Sequence, residues 1–263
     1  MIPQVGTCVQ TRQTHHAARP AARYRENAMQ AVILAGGKGT RLSPFTKVFP
    51  KPLVPVGEKP ILDTVIRQLK HFGFQRVTLA VGYMATMIQT YIRTGEQYGL
   101  EVDYSFEEKP LGTAGPLAQI TQLDENFLVM NGDIITNLNY KDLMSFHKEQ
   151  NAIATIGVYQ KNYKIDLGIV QNNSNYLITD YIEKPTYMFN VSMGVYVFNI
   201  AVMRHITLGQ YLDFPALVKT LLVNDEKVVS YPFDGYWLDI GNHSDYQKAL
   251  DEFEAIKGRL YLE

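Results

Sequence analysis

Residues 30–35, QAVILA, form a short apolar run that stops at two glycines. A run of this length, rich in β-branched residues and closed by glycine, reads as a buried strand. It opens a rhythm that limits the folds open to the chain. ILDTVIRQLKHFG (61–73) places Ile61, Val65, Leu69 and Phe72 on one helical face, with Gly73 as the stop signal. RVTLAV (76–81) reads as a strand and MATMIQTYIRTGEQYG (84–99) as a helix. VDYSF (102–106), TAGPLAQI (113–120) and FLVMN (127–131) continue as strand, helix, strand, and LMSFHKE (143–149) precedes AIATIGVY (152–159). Such alternation implies βαβ units: an α/β fold whose mixed, mostly parallel sheet carries helices on both faces.

Beyond about residue 160 the pattern changes. LGIVQ, LITDYIEK and NVSMGVYVFN are strand-like with few helices between them, as in an antiparallel or mixed portion. LDFPALVKTLLVN (212–224) and SDYQKALDEFEAI (244–256) read as later helices, with KVVSYPF and GYWLDIG as strands between them. The expectation is a single domain over 29–263, with a nucleotide-binding half (29–150) merging into a substrate-binding half (151–263). The aromatic residues Tyr231, Phe233, Tyr236 and Trp237 are expected to pack in the core.

Charge narrows the partners. The net charge of −1 argues against a general nucleic-acid or membrane binder, and the chain lacks an apolar run long enough to cross a bilayer. Residues 1–28 carry four arginines against one glutamate, with no hydrophobic periodicity and no apolar signal region. They are expected to be a disordered extension rather than a secretory signal. The single cysteine, Cys8, excludes an internal disulfide framework and fits a cytoplasmic protein.

Against this balance, residues 31–56 (AVILAGGKGTRLSPFTKVFPKPLVPV) hold Lys38, Arg41, Lys47 and Lys51 and no acid. Ligands of α/β sheets sit at the carboxyl ends of strands, where GGKGTR falls. Glycines there let backbone N–H groups approach an anion closely. The dinucleotide fingerprint fails, because its third glycine position is Leu42, and no Walker string occurs. The prolines of PKPLVPV hold Lys51 on a stiff support. A triphosphate carries roughly four negative charges, which three or four converging cations match.

The string GGKGTRLSPFTKVFPKPLVPV resembles the signature of the sugar-1-phosphate nucleotidylyltransferases, the NDP-sugar pyrophosphorylases. The resemblance runs through EEKPLGTAGPL (107–117), NGD (131–133), LGIV (167–170), EKP (183–185), SMGVYVF (192–198) and YWLDIG (236–241), covering essentially residues 30–250. KPLGTAGPL is most similar to mannose-1-phosphate guanylyltransferases.

The resemblance implies a Rossmann-like three-layer α/β/α fold. It implies a reaction in which a nucleoside triphosphate and a sugar 1-phosphate give an NDP-sugar and pyrophosphate, with Mg²⁺ as cofactor. Leu34, Ala35, Gly36 and Gly37 would lie against base and ribose. Gly39, Thr40 and Arg41 would grip the triphosphate, and Lys51 would meet the phosphates near the reacting centre. Gly112 and Thr113 would complete the base pocket with Gly82 nearby. Asp133 and Asp239 would hold the metal. Gly168, Glu183 and Lys184 would receive the sugar phosphate, with Ser192 beside the sugar. Arg41, Lys51, Asp133 and Lys184 are the expected catalytic set. GTP and a mannose-1-phosphate-like sugar are favoured; uridylyl or thymidylyl transfer, a cytidylyltransferase acting on a non-sugar phosphate, and a silent NDP-sugar sensor are the alternatives. A homodimer is compatible with the family. Two departures bear on the sugar: Ser192-Met193-Gly194 stands where many relatives have Asn-Ala-Gly, and Leu167 where they have Tyr.

Overall fold

The computed structural model describes residues 29–261; the expectation for residues 1–28 lies outside them. Strand β1 (Met29–Ala35) emerges at the glycine loop. A small hairpin of β2 (Pro55–Val56) and β3 (Lys59–Pro60) leads into α1 (Ile61–His71). There follow β4 (Phe74–Val81), α2 (Ala85–Ile92), β5 (Glu101–Phe106), β6 (Asn126–Asn131), β7 (Ile134–Thr136) and α3 (Tyr140–Gln150). The second half adds β8 (Ala154–Lys164), β9 (Ile169–Asn172), β10 (Ile178–Ile182), β11 (Thr186–Asn199), α4 (Phe214–Val223), β12 (Val228–Phe233), β13 (Trp237–Asp239) and α5 (His243–Ile256).

The largest sheet among the described residues has seven strands in the order β12-β8-β11-β6-β1-β4-β5. Strands β6, β1, β4 and β5 run parallel, as do β12 and β8, while β11 lies antiparallel to both its neighbours. The fold is therefore α/β with a mixed, mostly parallel sheet. Strand alternation sorts the core onto two faces. Ala31 and Ile33 of β1, Leu128 and Met130 of β6, and Val195 and Val197 of β11 pack with α1, α2, α3 and α5. Val32, Phe127, Val129, Tyr196 and Phe198 point the other way, onto Phe214, Leu217 and Leu221 of α4 and onto short 3₁₀ segments.

Helix α1 buries Ile61, Val65 and Leu69 completely and ends before Gly73, whose φ of 87° suits glycine. Helix α2 stops at Ile92, seven residues short of the helix expected from the sequence. Arg93 turns to φ 56° and Gly95 to 84°, which redirects the chain into a separate 3₁₀ turn, Glu96–Tyr98. TAGPLAQI likewise holds only the 3₁₀ segment Gly115–Gln119, with Pro116 near its start. Tyr231, Phe233, Tyr236 and Trp237 pack against the larger core cluster, as expected.

Two small sheets place the chemistry. Strand β13 pairs antiparallel with β7, bringing Asp239 opposite Ile134, and Ile240 donates its amide to the Asp133 carbonyl at 3.1 Å. Strands β9 and β10 pair only with each other and form an arm separate from the seven-stranded sheet. No helix among the described residues is long and apolar enough to cross a membrane.

Candidate active site

A cleft of about 800 Å³ opens over the carboxyl ends of the parallel strands. Its walls include Leu34 and Ala35 at the end of β1, Gly36 and Gly37 just after it, Lys51, Gly82 after β4, Gly112, Thr113 and Asp133. Nine of the residues expected from the sequence thus meet in one cavity. Chain packing explains the first wall. Tyr83 N–H donates to the Gly36 carbonyl at 3.2 Å, and a Cβ on Gly82 would lie 3.1 Å from that same oxygen. A Cβ on Gly36 would lie 2.4 Å from Glu107 Oε1, so this position admits no side chain without moving that carboxylate.

The end of the cleft at Lys51 is electrostatically tight. Lys51 and Asp133, 82 residues apart, form an ion pair through Nζ and Oδ2, with side chains only 13% and 19% exposed. Gly39, at φ 59°, packs on the stem of Lys51, and its carbonyl accepts the Thr46 hydroxyl at 2.9 Å. The carboxyl of Asp239 opens toward solvent, yet protein atoms crowd it. That crowding, and then the charge of Asp133, push its pKa up, while Lys51 and Arg41 pull it down. Asp245 adds to the upward push. Arg41 Nη1 would lie 3.6 Å from a Cβ on Gly241, two residues past Asp239. Arg41, Lys51, Asp133 and Asp239 therefore share one electrostatic neighbourhood.

Asp133 Oδ1 is buried without a hydrogen-bond partner among the described residues. An orphaned carboxylate oxygen beside a second carboxylate suits a hard cation. Mg²⁺ is typically bound by one or two carboxylates and completed by substrate phosphates and water. Among the described residues no group of three or more metal-ligating side chains occurs. The donor set fits Mg²⁺.

The expected sugar side is arranged differently. Gly168 precedes β9, and Glu183 and Lys184 follow β10; none of them lines the cleft. Lys184 pairs with its neighbour Glu183 at 3.6 Å, and both side chains are more than half exposed. Ser192 lies at a bulge of β11, its hydroxyl 3.0 Å from that of Tyr196. The bulge is tied to the site at two points. Gly194, at φ 70°, presses on Asn131 of the cleft wall, and the Met193 carbonyl accepts from Trp237 Nε1 at 3.0 Å.

Glu107, Tyr211 and Asp213 also line the cleft and were not expected from the sequence. Burial pushes the Glu107 pKa up, countered by an amide hydrogen bond from Leu111 at 3.1 Å. Its membership in EEKPLGTAGPL was the available signal. Tyr211 and Asp213 gave none, because they come from the turn before α4.

A family model described as nucleotidyl transferase matches residues 30–255. The chain belongs to that family. Among relatives of this nucleotidyl transferase chain, a mannose-1-phosphate guanyltransferase of Schizosaccharomyces pombe is 36% identical over 231 residues, covering 83% of this chain and 62% of its own. A UTP–glucose-1-phosphate uridylyltransferase of Synechocystis is 32% identical over 246 residues, covering 84% and 62%. The chain thus spans about three-fifths of the length of these curated relatives. The solved structure of HddC from Yersinia pseudotuberculosis complexed with GMP-PN superposes with a TM-score of 0.66 at 25% identity, covering 86% of this chain and 99% of that one.

Proposed function

We propose that this nucleotidyl transferase moves a nucleotidyl group from a nucleoside triphosphate to a sugar 1-phosphate, releasing pyrophosphate. The observation that carries the reading is the proximity of Arg41 and Asp239 to Lys51 and Asp133, the last two of which line the cleft. A phosphate oxygen of the sugar 1-phosphate attacks the α-phosphorus. The bond from that phosphorus to the bridging oxygen breaks, and pyrophosphate leaves with the electron pair. The nucleophile is already an anion, so no general base is needed; the barrier lies in bringing highly charged groups together.

Arg41 and Lys51 counter the charge of the triphosphate. Lys51 moves from Asp133 to the phosphates as substrate enters, which frees both oxygens of Asp133. Asp133 and Asp239 would hold Mg²⁺, which would supply charge neutralisation for the phosphates. The backbone of Leu34–Gly37 with Gly112 and Thr113 encloses the base. Lys184, released from Glu183, meets the sugar phosphate as the β9–β10 arm folds over the cleft, with Gly168 and Ser192 beside the sugar.

GTP is the favoured donor. The Glu107 carboxylate on the base wall can accept from the two neighbouring N–H groups of guanine, an arrangement that uracil and thymine do not offer. The mannose-1-phosphate guanyltransferase relative and the nucleotide of the HddC structure support the same choice, while the uridylyltransferase relative favours UTP. A mannose-1-phosphate-like sugar is the favoured acceptor. Pyrophosphate release, measured with four triphosphates against a panel of sugar 1-phosphates, tests the reading. Turnover is expected with GTP and a hexose 1-phosphate; a panel without any release would leave an NDP-sugar sensor in its place.

A further inference from the structure

The turn before α4 reaches across the molecule and grips the loop that walls the cleft. Leu212 N–H donates to the Leu111 carbonyl at 2.9 Å, and the Leu212 carbonyl accepts from Ala114 and Gly115 at 2.8 and 3.0 Å. Two side chains then exchange hydrogen bonds. Asp213 Oδ1 accepts from the Thr113 amide at 3.2 Å, and Thr113 Oγ1 accepts from the Phe214 amide at 2.8 Å. This is a reciprocal capping arrangement formed between segments a hundred residues apart.

Asp213 stands at the N-cap position of α4, yet its carboxylate makes no hydrogen bond to its own helix. The helix receives its cap from Thr113 instead, and Asp213 is turned outward. Its second oxygen, Oδ2, accepts the Tyr211 hydroxyl at 2.7 Å, and both residues line the cleft. Contact is close enough to dictate glycines. A Cβ on Gly112 would lie 2.5 Å from the Leu212 carbonyl oxygen, and one on Gly115 2.7 Å from that of Gln210. Gly112 also sits at φ 82°.

We infer that residues 210–214 form a strap that fixes the nucleoside wall of the cleft, with Asp213 as the positioning residue that locks Gly112 and Thr113 in place and Tyr211 as its cleft-facing contact. The inference rests on the proposed nucleotide binding and adds a residue set to it. Asp213 does not touch the reacting phosphates; it acts through the 111–115 loop. Its loss frees the Thr113 amide and the Tyr211 hydroxyl together, so the effect falls on nucleoside affinity.

The test is equilibrium binding of GTP to wild-type protein and to Asp213→Ala, Asp213→Asn and Tyr211→Phe, with kinetics alongside. Loss of the paired acceptors is expected to weaken GTP binding by about tenfold or more in Asp213→Ala. The KM for the sugar 1-phosphate should move less than twofold. Asp213→Asn keeps an acceptor for the Thr113 amide and recovers most of the affinity, whereas Asp213→Leu, which fills the space without an acceptor, does not; recovery by Leu as well would show a merely volumetric role. Adding Tyr211→Phe to Asp213→Ala weakens binding no further, because the hydroxyl has already lost its partner. If Asp213→Ala does not fold, the Asn and Phe variants carry the comparison. Equal GTP affinity in wild type and the folded variants overturns the strap while leaving the proposed reaction standing. Wild-type protein that binds no nucleotide overturns both.

Discussion

At the scale of single residues, the candidate site crowds two carboxylates beside two cations, with Lys51 and Asp133 largely shielded from water. Lys51 and Asp133 satisfy each other, yet Asp133 Oδ1 stays unpartnered and Asp239 is crowded by a like charge. In the proposed reaction such a cluster receives a polyphosphate and a cation. Lys51→Ala and Asp133→Asn are each expected to lower kcat/KM by about a hundredfold or more with the fold retained, checked by steady-state pyrophosphate release and circular dichroism. Glu107→Gln replaces one of two acceptors by a donor. The ratio of kcat/KM for GTP over UTP should fall by about tenfold or more, since a site built to pair a donor discriminates against a group that cannot. An unchanged ratio would place base selection elsewhere. Sequence resemblance named Lys51 and Asp133, but not their ion pair, which joins positions 82 residues apart. The exchange between Thr113 and Asp213 was invisible for the same reason: neither residue type announces a partner a hundred positions away.

The elements were legible where hydrophobic period and stop signals agree. QAVILA, RVTLAV and FLVMN became β1, β4 and β6, and the face of Ile61, Val65 and Leu69 became the buried side of α1. Period alone misled at α2, where apolar spacing continues past Ile92 but Arg93 takes a left-handed conformation. It also hid the polar ends of β8 and β11, whose pairing from Tyr159 to Lys164 carries exposed residues on the β8 strand. Leu69→Ala in α1 removes a fully buried side chain and should cost about 3 kcal/mol in denaturant unfolding.

Helix α3 carries a second consequence. His147 is 1% exposed, held between Thr155 Oγ1 at 2.8 Å and Asn126 Oδ1 at 3.1 Å. Burial, aided by Lys148, pushes its pKa down to about 4. The unfolded chain therefore binds this proton first as pH falls. The stabilisation is complete above about pH 6.5 and is lost progressively toward pH 4, by about 3 kcal/mol in total. His147→Gln should flatten that part of the stability–pH curve relative to wild type; an identical slope would show that the ring stays neutral in both states or titrates alike.

The whole molecule sets two regions of chain around one sheet. The parallel strands β6, β1, β4 and β5 deliver the glycine loop, Asp133 and the cleft wall, and the pairing of β13 with β7 returns Asp239 to the neighbourhood of Asp133. In the proposed division, residues 29–150 supply most of the nucleotide site, while 151–263 add Tyr211, Asp213 and Asp239 to it and hold the sugar phosphate. The acceptor then approaches from the side opposite the pyrophosphate. In-line displacement follows and inverts configuration at the α-phosphorus, to be checked with a chirally labelled thiotriphosphate; retention would require a covalent intermediate that the site does not provide for. The sugar arm was legible as motifs but not as geometry, since β9 and β10 stand apart from the main sheet and Lys184 is engaged by Glu183. The most direct measurement is a crystal structure with GTP and Mn²⁺ in place of Mg²⁺, located by anomalous scattering. The predicted result is a manganese peak ligated by Asp133 and Asp239, with the triphosphate against Arg41 and Lys51. A triphosphate bound away from these four residues, or a metal that touches neither aspartate, would contradict it.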